Sequence, residues 1–464
     1  MSAPDQYQAV VIGSGQGGNP LCKAFAGAGM RTAMIEREHV GGTCVNEGCT
    51  PTKTMVASGR VAYLARRGAD YGVETGNIRI DMTRIRKRKR DIVDSFRNGN
   101  QTSLETTKNL DLIFGEARFT GPKSLAVRMK DGTLRALSAD QIFINAGCRP
   151  AVAQVDGLTD VSYLNSTSIM ELDGVPEHLL VLGGGYVGLE FGQMFRRFGS
   201  RVSIVQSGAQ LLRGEDSDVA DEIASLLRQD GIEIFLNTRA ERVTKADSQI
   251  LLTVREKTGK TRELPGSRLL VATGRVPNVE ALNLSAAGVT TDDRGFIKVN
   301  SKLETSASGV YALGDINGGP AFTHISYDDF RILRANLIDK GSATTEGRPL
   351  PYAVFIDPQL GRIGLTEAQA REQNKNVRVA KMPMSSVARA LEVDEPRGFM
   401  KAIVDADTDQ ILGAAVLGIE GGEIMSMLQL AMMGKMPFTT LRDAIFAHPT
   451  LAESLNNLFT HFAS

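Results

Sequence analysis

Gln8-Ala-Val-Val-Ile-Gly13-Ser-Gly15-Gln-Gly-Gly18 leads into a helical stretch, an apolar run from Arg31 to Ile35, and Glu36. That order reads as strand, glycine turn, helix, second strand and terminal carboxylate, the fingerprint of a dinucleotide-binding βαβ unit. Gly13, Gly15 and Gly18 permit a tight turn and close approach of backbone to a pyrophosphate. The helix start meets that charge with free N–H groups, and Glu36 accepts from ribose hydroxyls. The pattern returns downstream, where Leu179 to Leu182 precedes Gly183-Gly-Gly185-Tyr186-Val-Gly188, a helix through Phe198, a strand from Arg201 to Val205, and Gln206. Two such units imply two bound dinucleotides and an α/β fold with parallel sheets.

Just beyond the first unit, Gly41 to Lys53 reads Gly-Gly-Thr43-Cys44-Val-Asn-Glu-Gly48-Cys49-Thr-Pro-Thr-Lys53. Two cysteines five positions apart after a nucleotide loop suit a dithiol that exchanges electrons with a flavin. A helix start lowers a thiol pKa through its free N–H groups and dipole, so Cys49 gains most. Gly48 is expected to take backbone angles closed to other residues, letting the two sulfurs meet. A structural disulfide or a zinc half-site is the alternative, although zinc ligands more often come as closer pairs with a second pair elsewhere.

The 464 residues suffice for two to four domains. Lys plus Arg and Asp plus Glu each total 53, and this zero balance argues against nucleic acid and for small-molecule chemistry. Cys22 and Cys148, the other two of four cysteines, lie far from the pair in sequence, which is no secreted disulfide framework and fits a cytoplasmic protein. The start of the chain shows no targeting pattern, no apolar run is long enough for a membrane span, and no metal site is expected. Six of the seven residues from Arg84 to Arg90 are basic, which reads as a solvated helix face in preference to an anion site.

The Gly41–Lys53 segment resembles the redox-active signature of the pyridine nucleotide-disulfide oxidoreductases, a flavoprotein family that includes dihydrolipoyl dehydrogenase, glutathione reductase and mercuric reductase. The resemblance covers nearly the whole chain. It implies two Rossmann-like domains plus a C-terminal α+β dimerisation domain. FAD would bind residues 1–149 and 275–345, the nicotinamide coenzyme residues 150–274, and residues 346–464 would form the homodimer interface. Ile144-Asn-Ala-Gly147 and Val271-Ala-Thr-Gly274 resemble the paired segments where the chain passes between the nucleotide domains, and Tyr311-Ala-Leu-Gly-Asp315 the motif whose aspartate holds the FAD ribityl chain. Thr43 joins the cofactor residues. Lys53 and Glu190 would form an ion pair beside the flavin, and Tyr186 would cover it until the nicotinamide arrives; taken singly, the first two read as surface charges and the last as core packing. Gln206 departs from the glutamate typical of dihydrolipoyl dehydrogenases. Losing that carboxylate removes both an acceptor for NADH ribose and the repulsion of a 2′-phosphate, which with Arg213 favours NADPH over NADH. A surface role for Arg213 is the alternative.

Near the carboxy end stands Phe446-Ala-His448-Pro449-Thr-Leu-Ala-Glu453. Dithiol chemistry needs a group that exchanges a proton near neutral pH, and a carboxylate on its second nitrogen would orient a histidine for this. In the family this histidine serves the partner's dithiol. Methionines 425, 427, 432, 433 and 436 read as dimer surface or helix core.

The expected activity is electron transfer from NAD(P)H through FAD and the Cys44/Cys49 disulfide to a small disulfide or thiol-reactive sulfur acceptor. Dihydrolipoyl dehydrogenase is one alternative. A mercuric reductase is another, favoured by Val387-Ala-Arg-Ala-Leu391 and Gly398-Phe-Met-Lys401 but opposed by a terminal Phe459-Thr-His-Phe-Ala-Ser464 without cysteines. A non-catalytic redox-sensing flavoprotein is the third.

Overall fold

Ala9 and Val11 face one side of the strand Asp5–Ile12, Val10 and Ile12 the other, and all four are buried because helices and loops cover both faces. In the computed structural model, which describes residues 4–246 and 249–462, this strand anchors the first of two compact units. That unit comprises the chain up to Thr54 together with Arg84–Ala151 and Gly274–Arg348. Its sheet has six strands. Asp5–Ile12 pairs in parallel with Thr32–Glu36 and with Leu134–Ile144, and Leu110–Gly121 and Val310–Ala312 extend the parallel part. One face packs Val10, Ile35, Ile142 and Ile144, the other Val11, Phe25, Met34 and Phe143. The Phe143 ring lies 4.9 Å from Phe25 and 5.0 Å from Tyr311.

The second unit comprises Met55–Thr83, Val152–Thr273 and the chain from Pro349. A four-stranded parallel sheet runs in the order Arg268–Val271, His178–Leu182, Arg201–Val205, Glu233–Phe235. A five-stranded antiparallel sheet is built from Tyr352–Val354, Gln359–Gly364, Ile411–Gly418, Phe399–Asp405 and Val377–Pro383, and the helix Gly421–Met433 packs on it.

The sheets are less uniformly parallel than expected. In the first unit Ser124–Met129 pairs antiparallel with both neighbours, because hairpins, such as the one through Asp131 and Gly132 (φ 85°), join them. Thr238–Ala246, Gln249–Glu256 and Thr261–Gly266 form a second antiparallel set.

The basic run lies on the helix Met82–Glu105 and is not a wholly solvated face. Lys89 is buried, and Arg88 donates to the Thr54 carbonyl at 2.7 Å. The methionines divide, with Met425 in the core and Met433 and Met436 exposed beside Leu430. Among the described residues no helix is long and apolar enough to cross a membrane. Ala463 and Ser464, part of the cysteine-free terminus, lie outside the described residues, as do the first three.

Candidate active site

The two glycine loops repeat one geometry. Gly13 and Gly183 hold φ of 97° and 109°, angles that strain any side chain. A Cβ at Gly18 would fall 2.3 Å from the Gly13 carbonyl oxygen, and one at Gly188 2.1 Å from that of Gly183. Both helices therefore start hard against their strands. With Gly15 and Gly185 just ahead of them and no acid in either first turn, the free N–H groups and positive dipole are left to an anion.

Glu36, at the end of its strand, accepts from the Ser14 N–H and hydroxyl at 3.1 and 2.6 Å, which aims the carboxylate over the first loop. Asn145 locks this loop from the next strand: its Oδ1 accepts from Gly18 N–H at 3.0 Å and its Nδ2 donates to Leu313 at 2.8 Å. Neither Ser14 nor Asn145 was singled out from sequence, although Asn145 stands inside the quoted Ile144–Gly147 motif.

That motif and its counterpart meet as expected. Cys148–Pro150 pairs antiparallel with Arg275–Pro277, the Gly147 carbonyl accepts from Asn278 N–H, and the Gly274 carbonyl accepts from Ala151 N–H. Asp315 is half-buried; desolvation raises its carboxyl pKa while Arg275 opposes the rise. Its carboxylate finds no side-chain hydrogen-bond partner among the described residues. A carboxylate acceptor of this kind fits the hydroxyls of FAD, while the neighbouring loop is shaped for its pyrophosphate.

The cysteine segment is fastened onto the same loop. Gly41 N–H donates to Ser14 Oγ at 3.1 Å, Gln16 Nε2 donates to the Gly41 carbonyl at 3.3 Å, and a Cβ on Gly42 would reach 2.7 Å from Gly15 Cα. Thr43 and Cys44 lie on the short helix Gly42–Asn46, Thr43 exposed. Cys49 opens the helix Cys49–Arg66, with Lys53 one turn along.

Gly48 differs from expectation. Its φ is ordinary, and glycine is needed there for space: a Cβ would lie 2.8 Å from the Thr43 carbonyl oxygen and 3.2 Å from Cys44 Cα.

The two sulfurs are not joined in a disulfide in this structure. The hydrogen bond to Cys49, then burial, then the nearby charge of Cys49 push the Cys44 thiol far above the ordinary thiol range. Cys44 thus holds its proton more tightly, and Cys49 stands exposed at a helix start, where free N–H groups and the helix dipole favour a negative sulfur. Its Sγ lies 3.2 Å from the Thr323 hydroxyl, a contact without a sequence signal. Cys22 and Cys148 are buried, and burial raises both thiols, Cys148 to about 12.

In the second unit, Gln206 is folded onto its own loop. Its Oε1 accepts from Gly184 N–H at 3.1 Å and its Nε2 donates to the Gln210 carbonyl at 3.2 Å. Leu212 N–H donates to Gly184 at 2.9 Å, tying the segment that carries exposed Arg213 to the glycine loop. Tyr186 is 36% exposed at the first position of the helix Tyr186–Phe198. Glu190, on the same helix, is buried and accepts from Phe355 N–H at 2.9 Å. His448 Nδ1 lies 2.9 Å and 3.1 Å from the two Glu453 carboxylate oxygens, so the predicted orienting contact is formed. Among the described residues no cluster of metal-ligating side chains occurs.

Glycine loops that repeat, a dithiol docked on the first of them, and a carboxylate-held histidine define a flavin- and nicotinamide-dependent dithiol oxidoreductase. The chain belongs to the pyridine nucleotide-disulphide oxidoreductase family: the family model matches residues 7–329, and the model of its dimerisation domain matches 350–459. Members of this family bind FAD and a pyridine nucleotide. Among its relatives is the probable pyridine nucleotide-disulfide oxidoreductase RclA of Escherichia coli, 38% identical over 98% of this chain and 99% of that protein. The mercuric reductase of Bacillus cereus is 33% identical over 97% of this chain and 70% of its own length. A dihydrolipoyl dehydrogenase of Bacillus subtilis is 31% identical over 97% and 95%. The solved structure of RclA, described as an HOCl-induced flavoprotein disulfide reductase, matches with a TM-score of 0.89 over 98% of this chain and 99% of that one.

Proposed function

We propose that this chain carries electrons from NADPH, by way of FAD, through Cys44 and Cys49 to a small disulfide or another thiol-reactive sulfur oxidant. The observation that carries this reading is the cysteine segment fastened onto the first glycine loop, with Cys49 exposed at a helix start and Cys44 hydrogen-bonded to it. A protonated thiol is a poor nucleophile, so Cys44 needs a base. His448 supplies one: Glu453 occupies its Nδ1 and leaves Nε2 to take the proton. The Cys44 thiolate then attacks one acceptor sulfur, and His448 returns the proton to the departing one. Cys49 attacks Cys44, releases the second acceptor sulfur and closes the Cys44–Cys49 disulfide, so two thiols are oxidised as one disulfide is reduced.

When bound, FAD would supply two-electron transfer between the nicotinamide and that disulfide. Gly13, Gly15, Gly18, Glu36, Thr43, Gly147 and Asp315 would hold it, with Lys53 and Glu190 near its reacting ring. Gly183, Gly185, Gly188, Tyr186 and Gly274 would serve the nicotinamide coenzyme. Gln206 without a carboxylate, and exposed Arg213, favour NADPH. Residues 1–149 with 275–345, 150–274 and 346–464 are assigned to FAD, coenzyme and homodimer interface, and His448 acts on the partner's dithiol. Four cysteines without the spacing of a secreted disulfide framework fit a cytoplasmic setting.

The description of the E. coli relative as HOCl-induced supports an acceptor made by oxidation. NADPH consumption with lipoamide, glutathione disulfide, cystine and Hg(II), assayed side by side, tests the reading. Turnover with a disulfide is expected. Turnover with none of them would favour a redox sensor.

A further inference from the structure

Thr323 touches the dithiol from a distant part of the chain. It opens the helix Thr323–Leu337, and its hydroxyl lies 3.2 Å from Cys49 Sγ. Cys49 likewise begins its own helix, so the sulfur meets the amino-terminal ends of two helices. Unpaired N–H groups and positive dipoles at such ends favour a negative sulfur. A threonine hydroxyl can donate or accept. Cys44 already gives its hydrogen bond to Cys49 and keeps its proton. An ionised Cys49 can only accept, so the Thr323 hydroxyl must donate to it. The Thr323 hydroxyl thus stands between both sulfurs, 3.2 Å from Cys49 Sγ and hydrogen-bonded to Cys44 as well.

We propose that Thr323 is a positioning residue of the dithiol, its hydroxyl donating to the Cys49 thiolate and so fixing which sulfur carries the charge. The proposal rests on the redox role given to the two cysteines above. Other titratable or charged groups on the elements packed here are Cys44, Glu47 beyond the short helix, Lys53 one turn along the Cys49 helix, and His324, whose ring stacks at 5.4 Å on Phe322. Of these, Cys44 is the one whose proton answers directly to Cys49. The hydroxyl also draws the Cys44 thiol downward, but the hydrogen bond to Cys49 and burial outweigh it.

The test uses holoenzyme of wild type, Thr323→Val and Thr323→Ser, each reduced by two electrons, with the long-wavelength thiolate-to-flavin absorbance followed against pH. Loss of a hydrogen bond to a charged group is expected to move the midpoint of Thr323→Val upward by about one unit, a tenfold smaller thiolate population below it. Thr323→Ser, which keeps the hydroxyl, is expected to titrate with wild type. Alkylation of Cys49 by iodoacetamide, read by mass spectrometry across the same pH range, reports the shift without the flavin. A wild-type midpoint in Thr323→Val would overturn the proposal, and so would a serine variant that behaves like valine. A wild type with no such absorbance at any pH would instead overturn the redox reading beneath it.

Discussion

Cys44 and Cys49 have the same side chain and different surroundings, and the division of labour proposed for them rests on that. Cys44 is half-buried and hydrogen-bonded to its neighbour, whereas Cys49 stands exposed at a helix start. On the proposed mechanism, a thiol held protonated needs His448 in the step that attacks the acceptor and not in the step that loads electrons. His448→Ala is therefore expected to slow acceptor reduction by about two orders of magnitude while sparing flavin reduction, as stopped-flow measurement of the two half-reactions would separate. Equal slowing of both would contradict the role. At the coenzyme site, Gln206→Glu is expected to lower the KM for NADH and raise that for NADPH, and Arg213→Ala to raise the KM for NADPH by about tenfold. An unchanged ratio would remove both residues from coenzyme choice. The cysteine pair, His448 with Glu453, and the glycine loops were legible because each is a short local pattern with a chemical reason for its spacing. Thr323, 274 residues from Cys49, and Asn145, 127 from Gly18, act through tertiary contact, which no local pattern records.

Between elements, the loop ahead of the helix Ser217–Gln229 is joined to the antiparallel sheet through Glu215, which lies 3.3 Å from Arg362 and accepts from the Tyr352 hydroxyl. Burial outweighs the pull of Arg362 and lifts the Glu215 carboxyl from 4.5 to about 7. A carboxyl with a raised native pKa binds its proton more tightly folded than unfolded. Its contribution to stability is therefore complete below the unfolded value and is lost as pH rises through the native one. Between about pH 5 and about pH 8 the melting temperature of wild type is expected to fall more steeply than that of Glu215→Gln. Parallel slopes would show that Glu215 does not titrate in this window. This junction was invisible in the sequence, where Glu215 is one acid in a polar turn. The fingerprints themselves gave strand, turn, helix and strand in order, because the period of apolar residues and the glycine spacing are set by backbone geometry. The antiparallel additions stand out less, because a short turn such as that at Asp131-Gly132 is a far weaker signal than the glycine fingerprints around it. The buried Lys89 was missed because a charge run carries no sign of which member a neighbouring element covers.

For the whole molecule, the dimerisation-domain match over 350–459 gives a meaning to the apolar surface of Leu430 and Met433, which are 64% and 61% exposed. Leu430→Asp together with Met433→Asp is expected to yield monomers by light scattering that keep FAD and accept electrons from NADPH, with acceptor turnover lowered at least about tenfold. Monomers with full turnover would place the whole active site in one chain. The central claim, a dithiol lying against bound flavin with Cys49 as its charged member, is tested most directly by reductive titration of the purified yellow protein and two variants. Wild type should gain long-wavelength absorbance on two-electron reduction, Cys44→Ser should show it before any reductant is added, and Cys49→Ser should never show it. Absorbance that survives in Cys49→Ser, or a wild type that stays colourless when FAD is supplied, would contradict it.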